Sequence, residues 1–329
     1  MRAVTQVEEH HLEVVELAPP EPGPGELLVR VVACGICGSD LSSYKRGLFT
    51  GVPGHEVAGT VEAVGPGVEG WRPGDPVALT PSAGCGTCDQ CRSGDYHRCI
   101  ESLTGSGSVR PGGYAELLVA PAGRLWRLPP GLSPEVACLA EPLSVALHGI
   151  GRLGSVRDHD AIVLGLGSIG LLACAALRWC GARRVYGVDP VELRRDLARG
   201  LGAEAVFGRA SDARAELDPV PLVLECSGRP EALQQAIDLA APGGGVVLLG
   251  IAIAEVPVIP VFWITREITV AGSINSRLEE FETAIRLLET RPEIGSIVTR
   301  RVSLEEVPET FELLLQPEGV GKVVVDPRR

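Results

Sequence analysis

Residues 160–180 read DAIVLGLGSIGLLACAALRWC. The apolar run Ala161–Leu164 leads into glycines at 165, 167 and 170, and SIGLLACAAL then opens a helix expected from about Ser168 to Cys180. A G-x-G-x-x-G run is informative only between a buried strand and a helix start, and that is its setting here. Gly165 permits the tight turn, Gly167 lets backbone approach a pyrophosphate, and Gly170 lets the helix lie close to the strand. Ser168 and Ile169 sit at the helix start, whose free N–H groups and partial positive charge suit phosphates. The next strand, RVYGV, ends at Asp189, nineteen residues after Gly170. A carboxylate there can accept hydrogen bonds from both ribose hydroxyls and repels a 2′-phosphate, so NAD is favoured over NADP. Arg194 and Arg195 soften that repulsion, and Asp189 could instead cap the helix that follows.

Outward from this turn the pattern alternates. RRVYGVD precedes a helix from about Glu192 to Gly200, PLVLECSG precedes one from about Glu231 to Ala240, and GGVVLLG and EITVAGSI follow. Apolar strands alternating with amphipathic helices give a parallel sheet covered on both faces, an α/β arrangement. The first 150 residues differ. LEVVEL, ELLVRVVA, VAGTVEAVG, DPVALTP and YAELLVAP are short β-branched runs punctuated by PPEPGPG, GPG, RPGD and RPGG, which suggests a barrel-like β-domain. After Ser276 a helix is expected over Leu278–Thr290, and the terminal strand GKVVVD is expected to return to the first part. The expected divisions are 1–150, 151–275 and 276–329.

Four cysteines lie in CGTCDQCRSGDYHRC: Cys85, Cys88, Cys91 and Cys99. This spacing delivers four thiolates from one tight loop, as a closed structural zinc site requires. Gly84, Gly86 and Gly94 give the loop its backbone freedom. A disulfide knot is the competing reading, disfavoured in a chain read as intracellular.

A second constellation is spread out. CGICGSD (34–40) offers Cys37, GHEVAGTVEAVG (54–65) offers His55 and Glu56, and LAEPLSVALHG (139–149) offers Glu141 and His148. One thiolate, one imidazole and one carboxylate make a three-ligand zinc site with an open fourth position, the mark of catalysis. Cys34 and Cys37 as a redox pair are disfavoured, because no thioredoxin-like βαβ context surrounds them. His148 reads as structural, and His10, His11, His97 and His159 as solvent or loop residues.

These segments, together with PGGYAELLV, EPLSVALHG and VGKVVVD, resemble the zinc-dependent medium-chain dehydrogenase/reductase superfamily, nearest its polyol (sorbitol-type) and threonine dehydrogenase branch. The resemblance runs over nearly the whole chain in the family's order. It implies a GroES-like β-barrel catalytic domain plus a doubly wound Rossmann domain, with the active site in the cleft between them. It implies that Cys37, His55 and Glu56 hold the catalytic zinc, with Glu141 as alternate ligand or outer carboxylate. Ser39 matches a hydroxyl that passes on the substrate proton, and Asp40 a carboxylate behind the zinc ligands. Gly165, Gly167, Ser168, Ile169, Asp189 and Arg194 match cofactor contacts, and Leu249, Gly250, Ile251, Ser273 and Ile274 should flank the nicotinamide. Two zinc ions per chain, one catalytic and one structural, and a homodimer or homotetramer are implied, the apolar run VPVIPVFWI (256–264) reaching toward an edge strand used for dimerisation.

The chain also departs from the family. Ser42 stands where many relatives place a relay histidine, and GSINSR replaces the Phe-Arg-Tyr-type element of sorbitol dehydrogenases. Sorbitol itself is therefore disfavoured. The expected chemistry is reversible hydride transfer between a secondary alcohol (polyol, cyclitol, sugar-derived or amino alcohol) and NAD. A zinc-free quinone or enoyl reductase of the same superfamily, and a non-catalytic NAD- and zinc-binding protein, are the competing readings.

Composition bounds the rest. The 329 residues carry a net charge of −12 and 45% hydrophobic residues. An acidic balance disfavours nucleic acid and anionic membranes as partners. The N-terminus lacks a charged-then-apolar signal pattern and no apolar run suits a transmembrane helix. With ten cysteines, this points to a reducing, cytoplasmic setting. Cys138, Cys174, Cys180 and Cys226 read as inert buried thiols.

Overall fold

The computed structural model describes residues 1–80, 84–103, 112–316 and 319–329. Pro81, Arg110 and Pro111, at the ends of the DPVALTP and RPGG segments, lie outside the described residues. In chain order the strands are β1 (Arg2–Glu8), β2 (His11–Glu16), β3 (Glu26–Gly35), β4 (Glu56–Val64), β5 (Pro76–Leu79), β6 (Leu117–Pro121), β7 (Leu125–Arg127), β8 (Ala161–Leu164), β9 (Val185–Val188), β10 (Ala205–Phe207), β11 (Val220–Glu225), β12 (Ala240–Leu248), β13 (Thr269–Gly272), β14 (Val298–Val302) and β15 (Lys322–Val325).

They make two compact units. One comprises the described residues within Met1–Glu141, Arg277–Glu318 and Lys322–Arg329, and the other those within Pro142–Ser276 and Gly319–Gly321. The chain thus passes between units at 141/142, not at 150/151. From Pro142 the helix Ala140–Gly151 packs with the second unit: a Cβ on Gly149 would stand 2.7 Å from Leu249 Cδ2. Gly319–Gly321 also belongs there, Val320 accepting a hydrogen bond from Arg194 Nε at 3.0 Å.

In the first unit a seven-stranded sheet runs β14-β15-β3-β4-β5-β7, with β6 also paired to β3, and β1–β2 forms a separate ribbon. Its pairs are antiparallel except β14–β15. β3 is the hub. Gly35 at its end faces Glu56 of β4 on one side and Val324 of β15 on the other. β3 is buried at all but two of its ten positions, as a strand between neighbours on both edges should be.

The second unit holds a six-stranded parallel sheet, β10-β9-β8-β11-β12-β13. This is the doubly wound order with β8 first at the centre. β8 and β9 are buried along their whole length, which is why they read as unbroken apolar runs rather than alternating ones. The helices Ser168–Trp179, Glu192–Gly200 and Ala232–Leu239 match the expected spans within a residue. VPVIPVFWI differs: it ends in the short helix Val261–Ile264, and the edge strand is the following β13. Among the described residues no helix is long and apolar enough to cross a membrane.

Candidate metal centre and dinucleotide turn

The antiparallel ladder that pairs Gly35 with Glu56 determines what lies just beyond it. Past β3 the chain reaches Cys37, the residue that caps the helix Gly38–Lys45, and just before β4 stands His55. Two strands in that register deliver both residues to the same end of the sheet. One donor atom each from Cys37, His55 and Glu56 lie within 4.8 Å of one another. The register of β3 and β4 thus brings the expected ligand set together. Glu141, also 8% exposed, is outside that set.

Asp40 organises two of the three. Its Oδ2 accepts the Cys37 N–H at 3.0 Å, completing one arm of a helix-start capping box, and its Oδ1 lies 3.4 Å from His55 Nδ1. Tyr114 donates its hydroxyl to the same Oδ2 at 2.6 Å. Tyr114 is fully buried, and it crowds Gly54, where a Cβ would stand 2.8 Å from its ring. A carboxylate facing Nδ1 fixes the imidazole orientation and leaves Nε2 for other bonding. Burial alone would raise the Asp40 pKa, but His55, Tyr114 and the Cys37 amide hold it below the ordinary range. Burial alone would lower that of His55, yet Asp40 and Cys37 lift it well above its ordinary value.

Glu56 is anchored from the far end of the chain. Lys322, the first residue of β15, donates to Glu56 Oε1 at 2.6 Å and to the Ile36 carbonyl at 2.8 Å. Both side chains are essentially inaccessible to water. Lys322 also pairs with Glu56 Oε2, so it sits on both oxygens of a carboxylate that lies within donor reach of Cys37 and His55. A thiolate, an imidazole and a carboxylate whose donor atoms lie within 4.8 Å of one another fit a zinc ion. Burial, with Glu56 and Asp40 nearby, pushes the Glu141 carboxyl up to about 7. Ser39 and Ser42 are half-buried on the same short helix, one turn apart.

The four lobe cysteines also converge, their sulfurs within 4.8 Å. Thr87, through its hydroxyl and amide, and the Cys88 amide draw the Cys85 thiol down to about 6, while burial lifts Cys91 to about 11. Gly84 has φ +63°, and a Cβ there would stand 2.5 Å from Cys91 Sγ. The lobe is tied to the helix Leu278–Thr290: Tyr96 Oη accepts the Leu278 N–H at 2.5 Å, and Asp95 pairs with Arg277 at 2.6 Å. Tyr96 thus satisfies an N–H at the helix start that has no partner within the helix. His97, expected in a loop or solvent, is buried within the lobe. The outlying Cys34, Cys138, Cys174, Cys180 and Cys226 thiols are all pushed up by burial, as inert sulfurs should be.

The second unit carries the dinucleotide turn. Gly165 has φ +85° and would meet Ser227 at 2.7 Å if it had a Cβ. A Cβ on Gly170 would collide with the Gly165 carbonyl, whereas Gly167, capping the helix Ser168–Trp179, faces open space. Asp189 is buried, its Oδ2 accepting the Leu166 N–H at 2.8 Å and its Oδ1 the Val191 N–H at 2.9 Å. Asp189 thus holds backbone on both sides of it, at Leu166 and at Val191. Arg194 lies 3.7 Å from it. Glu225, not singled out from the sequence, clamps the opposite loop: its Oε1 accepts from the Ser227 and Gly228 amides at 2.7 and 3.0 Å. Gly250 is pressed against Gly228, and Leu249 packs on Gly149. Ile251 and Ile274 are exposed, and Ser273 Oγ is a buried atom with no hydrogen-bond partner. Open space at Gly167 and the uncommitted Ser273 hydroxyl fit a bound dinucleotide.

Lys322, Tyr114 and Glu225 were missed. Lys322 and Tyr114 stood in plain view in VGKVVVD and PGGYAELLV, but a single lysine or tyrosine in a strand carries no spacing signal.

Comparison with known proteins agrees. The family described as the alcohol dehydrogenase GroES-like domain matches residues 23–130, and zinc-binding dehydrogenase matches 168–290. L-threonine 3-dehydrogenase of Pyrococcus furiosus is 35% identical, over 96% of this chain and 95% of its own. A zinc-binding dehydrogenase of Sinorhizobium meliloti, solved with NADP, has a TM-score of 0.90 at 32% identity, covering 99% of each chain. Galactitol-1-phosphate dehydrogenase of Escherichia coli has a TM-score of 0.89 at 29% identity, covering 99% of this chain and 100% of that one.

Two substitutions test the geometry. Tyr114→Phe keeps the ring and removes the bond to Asp40; affinity for the metal at Cys37 should fall about 10–100-fold, measured by chelator competition. Unchanged affinity would show that Asp40 holds its ligands unaided. Cys91→Ser should remove one metal equivalent per chain and lower the melting temperature, read by elemental analysis and calorimetry; wild-type values in both would exclude a metal in the lobe.

Proposed function

Because the chain belongs to the zinc-dependent alcohol dehydrogenase family, we propose that it oxidises a secondary alcohol reversibly with NAD, using Cys37, His55 and Glu56 as ligands of its catalytic zinc. That it is an NAD(P)-dependent, zinc-binding oxidoreductase follows from the family. Zinc-free and non-catalytic readings fall with it, since both metal-ligand sets are intact. The convergence of Cys37, His55 and Glu56 carries the proposal.

Bound there, zinc supplies Lewis-acid polarisation of the alcohol oxygen, and the nicotinamide supplies the hydride acceptor. The chain supplies the rest. Asp40 keeps His55 Nδ1 occupied, so Nε2 is the donor atom. Ser39, half-buried at the helix start, takes the proton from the substrate hydroxyl. Ser42, one turn on, extends that path by a second hydroxyl, where relatives use an imidazole. Glu141, buried and with a raised pKa, is the alternate carboxylate. In the second unit the amides at Gly167–Ile169 hold the pyrophosphate, with Gly165 and Gly170 shaping the turn. Asp189 receives the ribose hydroxyls, and its charge supports NAD over NADP, with Arg194 beside it. Leu249, Gly250, Ile251, Ser273 and Ile274 are proposed around the nicotinamide, the Ser273 hydroxyl having capacity to bond its carboxamide.

Relatives and neighbours named for L-threonine, galactitol 1-phosphate and butanediol support a small vicinal-type alcohol, polyol or amino alcohol as substrate. Ten cysteines, four of them gathered as one metal-ligand set, support a reducing, cytoplasmic setting. Exposed Ile251, Ile253, Phe262 and Ile264 stand in the segment leading to the edge strand β13, which supports a second copy of the chain as partner.

A panel of polyols, amino alcohols and secondary alcohols should yield NADH absorbance with at least one member, with NADP poorer. His55→Ala should lower kcat/KM by about 10³-fold or more while NAD affinity is unchanged; full activity in that variant would refute the ligand assignment. Light scattering should give a mass at least twice the 34.6 kDa of one chain, and Ile264→Glu should halve it; a monomeric wild type would remove the proposed partner.

A further inference from the structure

Lys322 is the buried charge that the mechanism above leaves unused. Its ammonium has the Ile36 carbonyl and the Glu56 carboxylate as partners, and its side chain is 1% exposed. Three strands produce this meeting. β4 and β15 flank β3 on opposite sides, and Gly35, the end of β3, lies between Glu56 and Lys322. A Cβ on Gly35 would overlap Glu56 Oε2 and stand 2.6 Å from Lys322 Cε. The absent side chain is therefore the space in which the pair meets.

The same carboxylate faces two cations. Lys322 is hydrogen-bonded to Oε1 and ion-paired with Oε2, while Glu56 also belongs to the donor set with Cys37 and His55. Two positive charges on one buried carboxylate repel each other, and each weakens the other's hold. We propose that Lys322 is a positioning residue that competes with the catalytic metal for Glu56. It holds the carboxylate in place before the metal arrives and keeps the Glu56–metal bond weak afterwards, so that Glu56 is the releasable member of the ligand set. The inference rests on Cys37, His55 and Glu56 being the metal centre.

It makes an unusual prediction, since breaking a buried pair normally harms a site. Lys322→Met leaves Glu56 buried without a counter-charge, which destabilises the metal-free protein. A divalent cation then becomes the only partner of that anion. Zinc at the Cys37 centre should bind at least tenfold more tightly than in wild type, and the gap in melting temperature between metal-loaded and metal-free protein should widen. Affinity is read by chelator competition, and cobalt substitution separates this centre from the lobe, because one thiolate and four give charge-transfer bands of different intensity. Lys322→Met combined with Glu56→Gln should lose the tightening, which a packing role for Lys322 would not predict. If the metal-free variant does not fold, the rate at which a chelator strips zinc from the loaded variant gives the same answer, expected at least tenfold slower. Zinc affinity or stripping rate equal to wild type, or weaker binding, overturns the competition. A wild-type chain that takes up metal only in the lobe overturns the metal centre itself, and the inference with it.

Discussion

Glu56 and Lys322 are a carboxylate and an ammonium shut away from water, meeting at the one position of β3 that has no side chain. Taking either ion out of water costs several kcal/mol, recovered only while both stay in place. That condition couples strands far apart in sequence. A slip of one residue in β4 or β15 would send one of the charges to the opposite face of the sheet. The register is thereby held at the point where β3 and β4 end, and the residues just beyond those ends are Cys37 and His55. The last strand of the chain therefore does more than complete a sheet. It carries the counter-charge that keeps in position the carboxylate proposed as a metal ligand.

The two sites differ in how they are encoded, and this decides how much of each could be read in advance. The dinucleotide turn is local: its strand, glycines and helix occupy one run of about twenty residues. Two of its glycines have steric reasons that show in the structure, the positive φ of Gly165 and the Gly170 backbone pressed on the Gly165 carbonyl. The four-cysteine lobe is local as well. The Cys37 cluster is assembled from residues 37, 40, 55, 56, 114 and 322, of which Cys37, Asp40, His55 and Glu56 could be singled out through their motifs. Tyr114 and Lys322 act through tertiary contacts that leave no periodic trace. The doubly wound order was legible because buried strands alternated with amphipathic helices. The passage between units at Glu141–Pro142 was not, because a continuous helix crosses it and helices carry no mark where the core they pack against changes.

Asp189 and Glu225 show the same economy in the second unit. Both are buried carboxylates at the ends of central parallel strands, and both accept backbone N–H groups from the loops beside them. A carboxylate that accepts several amides is fixed in place by the backbone it binds. The turn that would face a pyrophosphate is thus built largely of backbone held by two acids. Its shape depends little on side-chain rotamers, which suits a ligand recognised mainly through phosphate and ribose.

The charges around Cys37 form a pattern of their own. Asp40, Glu56 and Glu141 are buried within one unit beside a cysteine and a histidine, with Lys322 as the cation on the Glu56 side. In a low-dielectric pocket such an excess of anionic groups raises the affinity for any positive charge. Asp40 and Cys37 lift the pKa of His55 against its burial, while burial first, and then Glu56 and Asp40, displace Glu141 to about 7. A divalent cation answers the same field with greater charge in one place, and binding it requires neutral imidazole and free thiolate, so protons leave as it enters. Tyr114 and Lys322 then act in opposite senses. Tyr114 bonds the acid that orients the ligands, which favours the metal, whereas Lys322 bonds a ligand itself, which disfavours it. A site held by all its neighbours in one sense would bind metal at maximum strength; one with a built-in competitor keeps a carboxylate that can yield its place to a substrate oxygen.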